Sequence, residues 1–332
     1  MSGRIGPALA IAGALLAGTS VHAAEIAVDA SRIETFAGRP PGERVGELIW
    51  RGGLHLTSPD SRFGGLSGIT FTSAGNRLAM VSDRGNFVSG RLVYDKAGQP
   101  IDFTDMTIAP IENSGGKELP SAFSRDAEAI ETVNRDGRPA AVRVGFENLT
   151  RVADFDLADA RPTGPARPVT IPRELSAIRT NQSLEAVCIA PPASPIAGST
   201  LLITESAAAS DGAHAAWLLG RNDKGPLSLS DMAGSNPTDC AFLPNGDLLV
   251  LERGISLFSF TMHLRLIPAG EVRPSNTMTG RVILSGSGSD IDNMEGVAVH
   301  QGPDGETRIL LVSDDNFNDW ERTLLLEFAL PG

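Results

Sequence analysis

"DNMEGVAVH", residues 292–300, places an acid, Glu295, at the mouth of an apolar run. A small residue follows it, and apolar positions then alternate as in a strand. Strands bury acids only with partners, so a single case would be anomalous. The chain repeats the arrangement. "LSGITF" (66–71), "AEAIET" (127–132), "LEAVCI" (184–189), "TDCAFL" (238–243) and "MEGVAV" (294–299) align, with Ser67, Glu128, Glu185, Asp239 and Glu295 in the second column. The third column is small (Gly68, Ala129, Ala186, Cys240, Gly296), and the fourth is aliphatic.

Each segment leads through a turn-rich gap to a second apolar run that ends in an acid. These runs are "RLAMVSD" to Asp83, "AVRVGFE" to Glu147, "TLLITE" to Glu205, "DLLVLE" to Glu252 and "ILLVSD" to Asp314. The first and second columns lie 16, 19, 20, 13 and 19 residues apart, which suits hairpins. "DCAFLPNGDLLVLE" is the plainest, with Pro244-Asn245-Gly246-Asp247 as its turn. Positions 67, 128, 185, 239 and 295 differ by 61, 57, 54 and 56. Hairpins at that regular spacing, without amphipathic helices of comparable length, predict an all-β fold, a β-propeller with five motif-bearing blades. "RVGELIWRGGLHL" (44–56) and "RTLLLEFAL" (322–330) leave material for a sixth. Pairing of N- and C-terminal strands would close the ring and remove open sheet edges.

The first residues read as an export signal. Arg4 precedes an apolar run, and Val21-His22-Ala23 suits cleavage after Ala23. A membrane anchor is the competing reading, but the run is short and holds Gly and Pro. The expected organisation is a signal peptide over 1–23, a lead-in over 24–43 and the propeller domain over 44–332, in a periplasmic or secreted protein without stable membrane insertion. Removing 23 of 332 residues leaves 309. The net charge of −12 argues against a nucleic-acid partner, because phosphate binding needs a basic face. A monomer is expected. For Cys188 and Cys240 two readings stay open: buried thiols on neighbouring strands, or a disulfide between successive blades. Their two-position offset in the alignment favours free thiols.

The inner strand of each blade lines the central channel, so Glu128, Glu185, Asp239 and Glu295 should converge on one mouth. Crowded carboxylates need a proton or a cation. Many oxygen donors suit Ca²⁺, with Asn181 and Asn293 near enough in sequence to join. Few thiols and imidazoles argue against zinc. Acids at strand ends also cap their own turns, and for the second column both readings stay open. Arg84, Arg125, Arg151 and Arg253 stand beside these acids, where they suit an anionic substrate or plain ion pairs. No GxSxG elbow occurs, and His55, His214, His263 and His300 occupy no motif position.

"GGLSGITF…NRLAMVSDRGNF", "RDAEAIE…VGFEN..R", "NQSLEAVCI…LLITES", "NGDLLVLER" and "DNMEGVAV…LLVSDDNFN…TLLLEF" together resemble the bacterial family called esterase-like activity of phytase, or phytase-like. The resemblance runs from about Val45 to Leu330. It implies an exported propeller and hydrolysis of an ester or phosphate ester. Ser67, where the other repeats carry an acid, departs from a symmetric acid ring. With the residues, this gives a Ca²⁺-assisted hydrolase of a phosphate monoester or carboxylic ester, its substrate small and anionic or an ester. Arg84, Arg125 and Arg151 would hold the anion, and Glu128 or Glu147 would act as base. Only Lys96, Lys117 and Lys224 are present, too few for a polyphosphate such as phytate. A lactonase-like Ca²⁺-dependent propeller and a non-enzymatic binding propeller of the cell envelope are the alternatives.

Overall fold

The computed structural model describes residues 23–178, 183–205, 212–221, 223–256 and 259–332. The expected leader, apart from Ala23, lies outside the described residues, as does Asn181. The described strands form five sheets and no sixth, antiparallel throughout except where Thr277–Met278 joins the edge of the third sheet in parallel. Blade 1 runs from its inner strand Leu66–Phe71 through Arg77–Ser82 and Asn86–Tyr94 to Pro100–Pro110. Blade 2 comprises Ala127–Arg135, Arg138–Phe146, Arg151–Ala158 and Arg161–Val169. Blade 3 comprises Leu184–Ile189, Thr200–Thr204, His214–Leu219 and Gly225–Leu229, and blade 4 Ser235–Phe242, Leu248–Ser256, Ser259–Ile267 and Arg281–Ser287. In blade 5, Asn293–Gln301, Thr307–Asp314 and Thr323–Ala329 are followed by Leu48–Thr57 from the other end of the chain. Each inner strand packs against the inner strands of both neighbouring blades, blade 5 against blade 1, so the protein is a five-bladed β-propeller. Residues 24–33 add edge strands: Ala24–Glu25 on blade 1 and Asp29–Ile33 on Leu48–Thr57.

One irregularity recurs in all five blades. Where the inner strand meets the second strand, the pairing skips one residue: Ser67, Glu128, Glu185, Thr238 and Glu295. Each is the extra residue of a β-bulge, a device that re-aims a side chain at a sheet's rim. In four blades it is the residue of the second column. In blade 4 it is Thr238, so the sequence alignment of that repeat is one residue out of register. Asp239 moves to the third column and Glu252 leaves the acid column, where Arg253 takes its place.

In the four blades other than blade 4 the third column is small because neighbouring inner strands touch there. A Cβ on Gly68 would lie 3.1 Å from the Ala129 Cα of blade 2, and one on Gly296 would lie 3.2 Å from the Gly68 Cα of blade 1. The ring closes backbone against backbone at this level. Gly296→Ala also brings its Cβ to 2.7 Å from Val312 Cγ1. Such overpacking should cost about 2 kcal/mol in denaturant unfolding, whereas Gly270→Ala, with open space around it, should be silent.

Asp239 uses its third-column position to bridge blades, accepting the N–H groups of Cys240 and, in blade 5, of Val297, both at 2.8 Å. With register corrected, Cys240 and Cys188 are offset by one position rather than two. Their Cα atoms are 5.8 Å apart and the sulfurs are bonded, within ordinary disulfide geometry. The expectation of free thiols fails for that reason. Blades 1 and 5 are joined by a buried polar network: Tyr94 Oη and His300 Nε2 meet Glu327 Oε1 at 2.6 and 2.9 Å, and Arg308 donates to Oε2 at 2.7 Å.

Candidate functional site: an acid well at one channel mouth

The bulges put Glu128, Glu185 and Glu295 at one end of the channel. The residues that follow the bulge partners complete a second circle: Asp83, Glu147, Glu205, Arg253 and Asp314. Glu147 is the hub. Its carboxylate converges with those of Asp126 and Glu128, and again with those of Glu185 and Glu205, each trio offering oxygens within 4.8 Å of one another. Neither Asp126 nor Glu205 was singled out as a ligand from the sequence. Asp126 stands one place before the repeat, and Glu205 sits in the column whose acids also read as caps.

Of the expected ring, Glu128 and Glu185 thus meet through Glu147, Glu295 stands beside them, and Asp239 does not take part. Its two oxygens are committed to backbone N–H groups. Blade 4 instead supplies Arg253, whose Nε lies 3.3 Å from Glu295. Glu252 is buried away from the mouth and bound to Arg265 at 2.5 Å.

The well is electrostatically frustrated. Burial, then neighbouring acids, raises the carboxyls of Glu128 and Glu185 well above the ordinary range. Burial is also the main cause that lifts Asp83 to about 6, Glu147 and Glu295 to about 7, and Asp314 to about 8. Glu147 and Glu185 hydrogen-bond to each other, which requires a proton on one of them. Among the described residues, Asn293 Oδ1 and Asp83 Oδ1 are buried acceptors without a donor. Oxygen acceptors in excess, with too few donors, form the donor set of a hard cation.

The sign of the resulting pH dependence follows. In the folded protein these acids hold protons that the unfolded chain, with carboxyls near 4, has already released. Stability is therefore full at about pH 4 and is lost as pH rises through 6 to 8. In chelator, the melting temperature at pH 8 should lie roughly 5–10 °C below that at pH 5.5. Scanning calorimetry checks this, and a melting temperature that rises with pH would refute the crowding.

The arginines divide. Arg84 is exposed, its guanidinium 3.2 Å over the Phe317 ring. With Arg125 it lines a cavity of about 410 Å³ on the rim between blades 1 and 2, next to Asp83 and Asp126. Arg125 Nε donates to Leu119 O at 2.8 Å, which leaves its other nitrogens for a ligand. Arg151 is committed: it stacks over Phe146 at 3.7 Å and donates to the carbonyls of Leu149 and Ser124. Of the histidines, His214 and His300 serve structural bonds, to Glu205 O at 2.7 Å and to Glu327.

A family model described as "Phytase-like: Esterase-like activity of phytase" matches residues 61–317. A comparison with curated proteins found no match. Solved structures that resemble the chain include the PQQ-bound aldose sugar dehydrogenase of Streptomyces coelicolor, at 10% identity and a TM-score of 0.41, over 92% of this chain and 100% of that one. The Cps50 (Swd1) β-propeller domain of Myceliophteria thermophila gives 8% identity and a TM-score of 0.38, over 86% and 94%. Among the described residues, no helix is long and apolar enough to cross a membrane.

Proposed function

This chain belongs to the phytase-like family, and from that premise we propose that it is a Ca²⁺-assisted hydrolase of a small phosphate monoester or carboxylic ester, working at the acid well. The observation that carries the reading is Glu147, shared by two carboxylate trios. The well fits a hard cation: its donors are oxygens, its acids are pushed towards protonation, and two buried oxygens lack a donor.

Glu147, Glu185 and Glu205 would hold the cation, which would supply polarisation of an ester oxygen and a more acidic water. The chain's own residues do the rest. Arg84, which is exposed, and Arg125, which is half-buried, receive the anionic oxygens of the substrate in the rim cavity that both line. Glu128, outside that trio but against Glu147, takes the proton of the attacking water. Burial and the neighbouring acids raise its affinity for a proton, as a general base requires. Arg151 acts by position: its bonds to Ser124 O and Leu149 O hold the segments carrying Asp126 and Glu147. The test is turnover of p-nitrophenyl phosphate and p-nitrophenyl butyrate before and after chelation. Turnover lost in chelator and restored by Ca²⁺ is expected. An unchanged rate in chelator sinks the metal role, and lactone opening without release of either nitrophenol supports the lactonase reading instead.

We also propose export, with the mature protein beginning at Ala24. Intact mass of the periplasmic or secreted form should lack the first 23 residues; an uncleaved, membrane-bound product would contradict it.

A further inference from the structure

The channel has a second mouth. A cavity of about 570 Å³ is lined by the far ends of all five inner strands: Thr70, Glu131, Ile189, Phe242 and Val299 come from blades 1 to 5 in turn. A space bounded by every blade lies on the axis, and these residues sit at the opposite end of their strands from the bulges. We propose that this mouth is a binding site for a small organic cation with an apolar body, an alkylammonium being the simplest.

Charge points to the head of the ligand. Glu131 Oε1 accepts the Thr132 N–H at 2.6 Å and the Thr70 hydroxyl at 3.3 Å. The two threonine hydroxyls are themselves 3.1 Å apart. Among the described residues no cation pairs with Glu131. The arginine on the cavity wall, Arg143, is already neutralised: Asp154 takes it in a fork at 2.7 and 2.9 Å, and Thr200 receives its third bond. The cavity therefore presents one unmatched carboxylate, which attracts a cation and repels an anion. Burial pushes that carboxyl up to about 7, a position that a bound ammonium would relieve.

Shape and lining point to the body. One wall is polar, with Thr70, Glu131, Thr132 and Asn134; the facing wall is Pro191, Phe242, Ala298 and Val299. The volume falls in the range of pockets for small molecules, about 300–1,000 Å³. A bare divalent ion is a poor occupant, because a single carboxylate cannot supply the six to eight oxygens that Ca²⁺ takes. A compact head on an aliphatic stem uses both walls.

The test is titration calorimetry with n-butylammonium chloride on the full protein, with n-butanol and KCl as controls. Saturable binding is expected to wild type, at least about tenfold weaker to Glu131→Gln, and weaker by a similar factor for n-butanol. Glu131→Gln retains an acceptor for Thr70 and Thr132, so its fold should persist, and ester turnover at the other mouth should be unchanged. Ala197→Trp, a substitution at the exposed rim of the cavity, should also block binding, and it carries the test if Glu131→Gln fails to fold. No saturable binding to wild type would overturn the proposal. So would equal affinity in Glu131→Gln, or full affinity in Ala197→Trp.

Discussion

Glu147→Gln should lower kcat/KM for a p-nitrophenyl ester by at least about 100-fold and abolish stabilisation by Ca²⁺. Wild type should gain about 2.7 kcal/mol of stability at a hundredfold excess of Ca²⁺ over Kd. The change removes one charge from both trios at once, because Glu147 is the residue they share. It preserves the shape of the side chain and an acceptor for the Ser183 N–H, which lies 3.3 Å from Glu147 Oε1. Loss of the Ca²⁺ response would then report coordination, not unfolding. Glu185→Gln should act in the same direction. Asp239→Asn should keep the Ca²⁺ response, because Asp239 bonds to backbone N–H groups outside the well. Glu43→Gln, on the exposed surface beside Arg39, should change nothing. Both readouts come from a chelated and a Ca²⁺-loaded sample of each variant, by steady-state kinetics and by melting. A Glu147→Gln protein with normal turnover and a normal Ca²⁺ shift would mean that the acids merely cap their blades.

Reducing or removing the Cys188–Cys240 bond should cost about 4 kcal/mol. The bond closes a loop with a sequence separation of 52, and restricting the unfolded chain over that length accounts for the figure. It also fastens the inner strands of blades 3 and 4. Cys188→Ala/Cys240→Ala should lower the midpoint of guanidinium unfolding accordingly, with little change in its slope. The two sulfurs are bonded to each other, so thiol titration of denatured, unreduced protein should find none free. Two free thiols, or a double variant as stable as wild type, would refute this.

The ring was legible in the sequence because its geometry repeats. A small residue recurs where inner strands touch, in every blade but the fourth, where Asp239 bonds across instead, and Gly68 and Gly296 show the contact directly. Blade 4 misled the reading because its column was chosen by the presence of an acid. The interval of 13 residues there, against 16 to 20 elsewhere, was the warning. Measured between Thr238 and Arg253 it becomes 15, in line with blade 1. That one-residue slip also hid the disulfide, since it exaggerated the offset of the cysteines. Glu205 could not be ranked above an ordinary cap, because it meets Glu147 across two blades, and Asp126 stands outside the repeat. The division of labour among the arginines was illegible because it rests on local packing: Arg151 is held by Phe146 and two carbonyls, while Arg84 is left at the surface.

We propose that Glu147 organises a cation site at the mouth of the channel. Crystals of the protein soaked in Tb³⁺, a stand-in for Ca²⁺, test it most directly through anomalous scattering. A peak is expected about 2.3–2.6 Å from a Glu147 carboxylate oxygen, with further oxygens from Glu185 and Glu205 or from Asp126 and Glu128. Ordered carboxylates with no peak between them, or a peak only at some other part of the surface, would contradict it.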